Sequence, residues 1–314
     1  DGDDNFKVTG DGEHLIKLKV LGGEEHDIYD FDNTSKVKLY DYKSKKNTIK
    51  NSGSHKWLVD SYDINNYNPK KRKYSQNTIM PALAFDPDSG LLVGINDTFT
   101  TYGLVNNPFS AKHSLQAGYY SATQGFSISY KGEFAHIFHN WNLGIDAFAT
   151  TPQYTINFFG FGNETQYDDD AVDLDYNRMN YQYLSLAPSL IWNNQRGSSF
   201  YVKPMVEYIE AENKENHVAE DFFEPGNDVF DNQLYAGGEV GYQYTTKREL
   251  IAFPRRGMQF DMVAGYKSNI DDHDNRFAYL MPTVSIDYPL HRSGMAVLAT
   301  KIGGEFLLGD NYEF

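Results

Sequence analysis

Cysteine is absent from this chain of 314 residues. Disulfide bonds, thiolate metal sites and cysteine nucleophiles are therefore excluded. The sequence also lacks any run of 18 apolar residues, and its mean hydropathy is −0.59, so no membrane-spanning helix is predicted. A transmembrane β-barrel remains possible, because half of each of its strands faces water and hides the hydropathy signal.

Positive charge is scarce as well. The chain has 28 Lys and Arg against 43 Asp and Glu, a net charge of −15. Such a chain repels phosphate backbones, and no basic stripe with interleaved aromatic residues stands out, so we do not expect it to bind nucleic acid. The short basic cluster at residues 70–73 is interpreted as part of a solvated linker.

Catalytic motifs are missing too. No Gly-x-Ser-x-Gly elbow, phosphate-binding loop or dinucleotide fingerprint occurs, and the 9 His show no metal-ligand spacing. The Asp, His and Asn motifs of a binuclear phosphoesterase are not found, since Gly162-Asn163-Glu164 lacks the required His. We therefore predict no catalytic, cofactor-binding or metal-binding residues, and no enzyme in these residues, while the intact protein stays open.

Aromatic residues are abundant, at 15% of the chain, and apolar residues alternate with polar ones. Residues 258–266 show the pattern clearly: one face carries Met258, Phe260, Met262, Ala264 and Tyr266, and the other Gln259, Asp261, Val263 and Gly265. This period of two is that of a β-strand. Residues 234–244, 280–288 and 298–306 repeat it, with charged residues on the polar face.

Strand length separates a membrane barrel from a soluble β-sandwich. The predicted strands have about ten residues or more, as a tilted bilayer crossing requires. Tyrosines near strand ends are assigned to the interfacial aromatic girdles of a barrel, namely Tyr242, Tyr244, Tyr266, Tyr279 and Tyr288. We therefore predict an all-β chain that contains an antiparallel transmembrane β-barrel.

Eleven barrel strands are predicted, at about residues 78–86, 90–103, 110–122, 125–136, 140–157, 176–193, 198–212, 232–247, 256–269, 276–289 and 294–307. The longer, acidic connections follow the fifth, seventh and ninth strands. Because outer-membrane barrels place long loops outside the cell, the first strand should run outward and residues 1–76 should be periplasmic. An odd number of antiparallel strands cannot close, so we expect an incomplete barrel.

Five residues interrupt the strand pattern. Asp97 falls on the apolar face of the second strand, and Pro81, Pro188, Pro204 and Pro282 remove backbone donors inside strands. We expect β-bulges or strand ends at the prolines. The polar face carries residues of both signs, which predicts a hydrated, self-paired interior rather than an ion-selective ring: Lys131, Glu133, Asp146, Lys203, Glu207, Glu239, Asp261, Lys267, Asp287, Lys301 and Glu305.

The chain divides into three predicted parts: a β-rich periplasmic segment at 1–50, a linker at 51–76 and a partial barrel at 77–314. Residues 1–6 and 21–29 loosely resemble the repeats of calcium-binding β-rolls, and a small β-rich coil without calcium is the alternative. Asp168, Asp169, Asp170, Asp173 and Asp175 either bind a divalent cation or form a solvated loop.

Three motifs resemble the BamA/TamA-type superfamily, also called bacterial surface antigens. They are the turn Pro254-Arg255-Arg256-Gly257 with the strand entry after it, the loop at 157–165, and the hairpin at 81–94. The resemblance implies about sixteen strands, with an Arg-Gly-Phe loop after the eleventh, so the chain is expected to be a fragment that stops before that loop. Residues 1–74 lack the helical period of POTRA repeats. Residues 39–42 resemble the junction of Bacteroidota proteins that carry a calcineurin-like metallophosphoesterase before this barrel.

The resemblance implies a role in inserting or exporting outer-membrane proteins. Its partners would be outer-membrane lipid, client proteins and subunits of the assembly machinery. The strand at 78–85 would be the edge that receives a client, with Pro81 weakening its pairing. The alternatives are a membrane anchor for an upstream metallophosphoesterase or other periplasmic partner, and a diffusion porin.

Overall fold

The structure is a computed structural model and describes residues 2–10, 16–32, 36–51, 55–60, 62–66, 74–87, 89–102, 109–138, 141–160, 176–194, 196–212, 222–223, 230–247, 256–291 and 296–311. It divides into two compact units. The smaller unit consists of Asp1–Ser75 with Thr100–Ser110, and the larger of Gln76–Phe99 with Ala111–Phe314. In the part of the chain that is described, no helix is long and apolar enough to cross a membrane.

The smaller unit is built from six short strands, β1 (Asn5–Val8), β2 (Leu18–Leu21), β3 (Ile28–Phe31), β4 (Val37–Asp41), β5 (Thr48–Asn51) and β6 (His55–Leu58), followed by one helical turn, α1 (Tyr62–Asn65). The strands form two parallel sheets, β1-β3-β5 and β2-β4-β6. Consecutive strands alternate between the sheets, so each coil of the chain adds one strand to both, as in a β-solenoid.

The strands β1 to β4 lie within the predicted β-rich segment at 1–50, whereas the predicted linker at 51–76 differs from the structure. It contains β6, which pairs with β4 from Lys38↔His55 to Asp41↔Leu58, and also α1. The Lys and Asn content of this interval concealed a short strand. Its apolar residues Trp57 and Leu58 complete the third coil.

Apolar and charged residues alternate along the strands of the smaller unit, and the apolar ones form its core. Its buried members are Val20, Tyr29, Phe31, Val37 and Leu39. A ladder of side chains links the coils just before the strands of the first sheet. Asp27 Oδ1 accepts a hydrogen bond from the Asp4 backbone N–H at 2.9 Å, and Asn47 Oδ1 accepts one from the Asp27 N–H at 3.0 Å.

The larger unit is one antiparallel sheet. Its strands are β7 (Gln76–Asp86), β8 (Gly90–Thr101), β9 (Ala111–Tyr120), β10 (Gly125–Phe138), β11 (Trp141–Thr150), β12 (Thr155–Asn157), β13 (Arg178–Asn193), β14 (Ser198–Glu212), β15 (Gln233–Thr245), β16 (Gly257–Asn269), β17 (Arg276–Pro289), β18 (Val297–Gly303) and β19 (Phe306–Asn311). Eleven of them follow one another in chain order from β7 to β18, while the short β12 and β19 pair with β13 and β17. The eleven predicted strands are confirmed, with the fifth and the last each divided in two.

The expectation of bulges or strand ends at the prolines is wrong for three of them. Pro188, Pro204 and Pro282 lie inside continuous strands. The β13–β14 ladder pauses between Leu186↔Val206 and Leu190↔Val202 and then resumes in the same register. The sheet tolerates these residues because each proline still has a paired neighbour on its other side, Ile145, Gly238 and Met262 respectively.

The two faces of this sheet are opposite in character, as the alternation predicted. On β14, Val202 and Val206 are exposed on one face, whereas Met205 and Glu207 are buried on the other. The apolar face of this sheet is therefore the exposed one, and the polar face is the sheltered one. A soluble protein shows the reverse arrangement.

Candidate functional site: a free strand edge and a paired polar face

The first strand of the sheet is an exposed edge. Within the described residues β7 pairs on one side only, with β8. Ten of its 11 residues are exposed, including Leu83 and Phe85, each at 75%. Pro81 lacks a backbone N–H, but the strand continues through it. The bulge or strand end expected at Pro81 is therefore not found either. The edge is therefore long and apolar, with one donor missing from its ladder.

The opposite edge is shorter and interrupted. β18 pairs with one half of β17, from Thr283↔Gly303 to Pro289↔Val297, and β19 pairs with the other half. Between them, Gly304 and Glu305 leave the strand conformation. The two edges of the sheet thus differ, and β7 is the continuous one.

The polar face carries a Glu–Lys–Tyr cluster, formed by Tyr183, Lys203, Glu207, Glu239, Lys267 and Tyr279. Glu207 accepts a hydrogen bond from the Tyr183 hydroxyl at 2.5 Å and lies 2.6 Å from the Lys267 ammonium. Glu239 accepts one from the Tyr279 hydroxyl at 2.6 Å and lies 2.5 Å from the Lys203 ammonium. Each carboxylate therefore has one tyrosine and one lysine partner, and the cluster is electrically neutral.

Glycines make room for the rings of this cluster and of its neighbour Tyr201. Tyr279 stands opposite Gly265, and its ring occupies the space where a Cβ of that glycine would lie. Tyr201 covers Gly241 in the same way on the neighbouring pair of strands. The rings lie along the sheet beneath Lys267 and Lys203, at 5.9 and 5.7 Å from the ammonium nitrogens. Cation–π attraction and hydrogen bonding together tie five strands, β13 to β17, into one polar network.

The other predicted residues of the polar face are distributed along the sheet. Lys131 stands opposite Asp146, and Glu133 Oε1 accepts a hydrogen bond from the Asn142 amide. Asp287 pairs with Lys247, at 2.8 Å, a lysine that the sequence reasoning missed. Asp261 accepts hydrogen bonds from two glutamines, while Lys301 and Glu305 are exposed near the β18 edge.

The assignment of Tyr279 to an aromatic girdle is wrong. Tyr279 is buried on the polar face, whereas Tyr242, Tyr266 and Tyr288 are exposed on the apolar face. The sequence contained the signal for this distinction. Tyr279 has the same parity as Asp287 on β17, and parity decides the face of a strand.

The smaller unit contains a buried pair of carboxyl groups. Asp27 and Asp41 are both fully buried, and the hydroxyl of Tyr29 lies 3.1 Å from one and 2.5 Å from the other. Burial raises the pKa of Asp41, although hydrogen bonds from Tyr29 and the Tyr42 N–H oppose the shift. Burial also raises the pKa of Tyr29. A Cβ on Gly22 would collide with the Tyr29 hydroxyl, so glycine is needed there.

No set of three or more His, Asp or Glu side chains that could hold a metal occurs among the described residues. The second β-roll-like stretch supplies Asp27, whose oxygens are taken up by Tyr29 and the Asp4 N–H. Calcium binding by this segment stays a prediction. The acidic stretch from Asp168 to Asp175 lies outside the described residues, as does most of the loop motif at 157–165.

No family model matches the chain, and no curated protein matches it. Among solved structures it is similar to BamA from Haemophilus ducreyi lacking POTRA domains 1–3, with a TM-score of 0.50 and 14% sequence identity. The larger unit has the fold of a BamA-like outer-membrane β-barrel. The match covers 75% of this chain and 41% of that one, so the chain spans less than half of the BamA structure.

This result accounts for the two faces. In a barrel of this kind the exposed apolar face meets lipid and the polar face lines the lumen. The Glu–Lys–Tyr cluster is then a feature of the barrel lumen, and β7 is the terminal strand of the described sheet. The phosphoesterase fusion and the Bacteroidota origin stay predictions.

Proposed function

We propose that this chain is the membrane part of an outer-membrane assembly or translocation protein, whose β7 edge accepts a strand of an incoming client. The observation that carries the proposal is the exposed, continuous β7 edge, which contrasts with the interrupted β18–β19 edge at the other end of the sheet. An unpaired edge in hydrocarbon leaves backbone groups without hydrogen bonds, which costs several kcal/mol each. A client strand that pairs with β7 recovers this energy.

Strand direction supports the same proposal. The eleven strands in chain order run alternately up and down, so β7 and β18 point the same way. Antiparallel closure then requires an odd number of additional strands, from the rest of the protein or from a client. The longest connections are residues 158–177 and 213–232. Counted from β7, they follow the fifth and the seventh of the eleven strands. Outer-membrane barrels place such loops outside, which supports a periplasmic position for residues 1–76.

The lumen favours a structural barrel over a diffusion porin. The Glu–Lys–Tyr cluster pairs its charges internally, with side chains 10–22% exposed. Ion-paired and hydrogen-bonded side chains stiffen the wall and do not present a ring of one charge to a passing ion.

Disulfide formation tests the edge directly, since the chain has no cysteine of its own. Leu83→Cys on β7 and the matched control Ile95→Cys on β8 are reconstituted in vesicles of phosphatidylethanolamine and phosphatidylglycerol. The probe is a urea-unfolded outer-membrane barrel polypeptide with one cysteine in its last strand. We expect a mixed disulfide with the β7 variant, at several times the yield of the β8 variant.

Equal yields from the two variants would contradict the proposal, as would no crosslink at all in vesicles where the barrel has inserted. In the intact protein, a permanent disulfide between Leu83→Cys and its own last strand, formed without loss of function, would favour the anchor alternative.

A further inference from the structure

A groove of about 460 Å³ lies on the larger unit where β16 begins and β17 ends. Its floor is apolar. Met258 and Ile286 stand opposite each other on the two strands, and they are 39% and 44% exposed on the apolar face. Tyr288 continues the floor toward the strand end and is 60% exposed. These three side chains together offer a surface that fits a hydrocarbon chain.

The rim of the groove is basic. Arg256 directly precedes β16 and is exposed. Among the described residues no carboxylate pairs with its guanidinium. The carboxylate that also lines the groove, Asp287, is held by Lys247 at 2.8 Å and also lies on the polar side of its strand. Arg256 therefore contributes a positive charge that the groove itself does not neutralise.

An apolar floor with one guanidinium at its end matches the two parts of a phospholipid. An acyl chain can pack against Met258, Ile286 and Tyr288. A phosphate can bind Arg256, whose planar guanidinium group donates two parallel hydrogen bonds to phosphate oxygens. The position along the strand agrees with this, because aromatic residues such as Tyr288 mark the level of the headgroups.

We propose that this groove binds one phospholipid, with its phosphate on Arg256 and an acyl chain along Met258, Ile286 and Tyr288. The proposal rests on the membrane location given under the proposed function. It goes beyond general contact with the bilayer, because it assigns the phosphate to one arginine. It predicts that lipid retention depends on Arg256 and not on basic residues at the same end of the sheet in general.

The chain provides a matched control in Arg196. This arginine lies in the connection between β13 and β14. That connection is at the same end of the antiparallel sheet as the β15–β16 connection, which contains Arg256 and lies two strands further along. It is exposed, and no described carboxylate pairs with its side chain. It does not line the groove. Arg196→Gln therefore removes the same positive charge from the chain as Arg256→Gln, without altering the proposed site.

Native mass spectrometry of the whole chain in detergent, titrated with dioleoylphosphatidylglycerol, measures retention of a single lipid. We expect Arg256→Gln to weaken retention roughly tenfold, the effect of losing about 1.4 kcal/mol. Arg196→Gln should leave it unchanged, and Arg256→Lys should restore part of it. Dioleoylglycerol, which lacks the phosphate, should be retained no better by the wild type than by Arg256→Gln.

Equal losses from the two glutamine variants would overturn the proposal and indicate general charge attraction. Complete displacement of the lipid by millimolar inorganic phosphate would also overturn it, because it would indicate a free anion site. A chain that fails to enter lipid vesicles at all contradicts the proposed function, whereas a chain that enters them with no effect of Arg256→Gln contradicts only the phospholipid site.

Discussion

Apolar and polar residues alternate in both units of this chain, but the smaller unit buries the apolar residues and the larger unit buries the polar ones. In the smaller unit the apolar residues of the alternation, such as Leu39, are fully buried, and Lys38 beside it is exposed. In the larger unit Leu186 is 55% exposed, whereas the carboxylate Glu207 is only 8% exposed. Alternation therefore identifies strands in both units but does not say which face is the core. That information comes from the length of the strands and from what the polar face contains.

The largest expected difference is in the response to the same truncation. Leu39→Ala removes a side chain from a packed core and should destabilise the smaller unit by about 2–5 kcal/mol. Leu186→Ala shortens a side chain that faces detergent or lipid, leaves no cavity and should have a much smaller effect. Hydrogen exchange of amides in β4 and in β13 measures the two effects locally in the whole chain.

A loss of protection in β13 after Leu186→Ala, as large as the loss in β4 after Leu39→Ala, would contradict this comparison. It would mean that the exposed face of the larger unit is covered by protein and not by lipid.

The fold was largely predictable because its main signal is local. Period-two alternation over about ten residues located all eleven barrel strands. The parallel pairing of β1 with β3 was not predictable, because it joins segments about two dozen residues apart and depends on stacking of the coils. The β6 strand was missed for a similar reason, since four residues in a Lys-rich and Asn-rich interval carry too little pattern. The prolines misled because a sheet can absorb a lost donor without changing register.

The functional side chains were predictable in part. Parity alone placed Lys203, Glu207, Glu239 and Lys267 on the polar face, and the structure pairs them with one another. Which lysine meets which glutamate could not be read, because Lys267 reaches Glu207 across a strand rather than along a register pair. The tyrosines that complete the cluster were missed, because tyrosine occurs both in interfacial girdles and in lumen networks.

The two units also differ in the partners of their buried carboxyl groups. Glu207 is neutralised by a lysine, so Glu207→Gln should remove a charged hydrogen bond to Lys267 and destabilise the barrel by about 1.5–3 kcal/mol. Thermal or urea unfolding in detergent at pH 7 measures the change. Glu305→Gln is the control, because Glu305 is exposed near the β18 edge. An equal effect of the two substitutions would show that the Glu–Lys–Tyr cluster does not contribute to stability.

Among the described residues of the smaller unit, no lysine pairs with Asp41 in this way. It shares the Tyr29 hydroxyl with Asp27, and burial raises its pKa above the usual value of 3.8. A carboxyl whose folded pKa is raised contributes stability below its unfolded pKa and loses it as the pH rises through the folded value. Asp41→Asn should therefore stabilise the smaller unit at pH 7. The gain should shrink as the pH falls and disappear below about pH 3.8, as measured by hydrogen exchange of β3 and β4 amides between about pH 3 and 7.

Asp60 provides the opposite case within the same unit. It is exposed, and hydrogen bonds from the Ser44 hydroxyl and backbone N–H lower its pKa. A lowered pKa contributes stability above the unfolded value and loses it as the pH falls, so Asp60→Asn should cost a little stability at pH 7 and none at low pH. The two variants should thus change the pH dependence in opposite directions. If Asp41→Asn instead behaves like Asp60→Asn, the buried carboxyl is stabilised in its ionised form, and its hydrogen bonds from Tyr29 and the Tyr42 N–H outweigh the cost of burial.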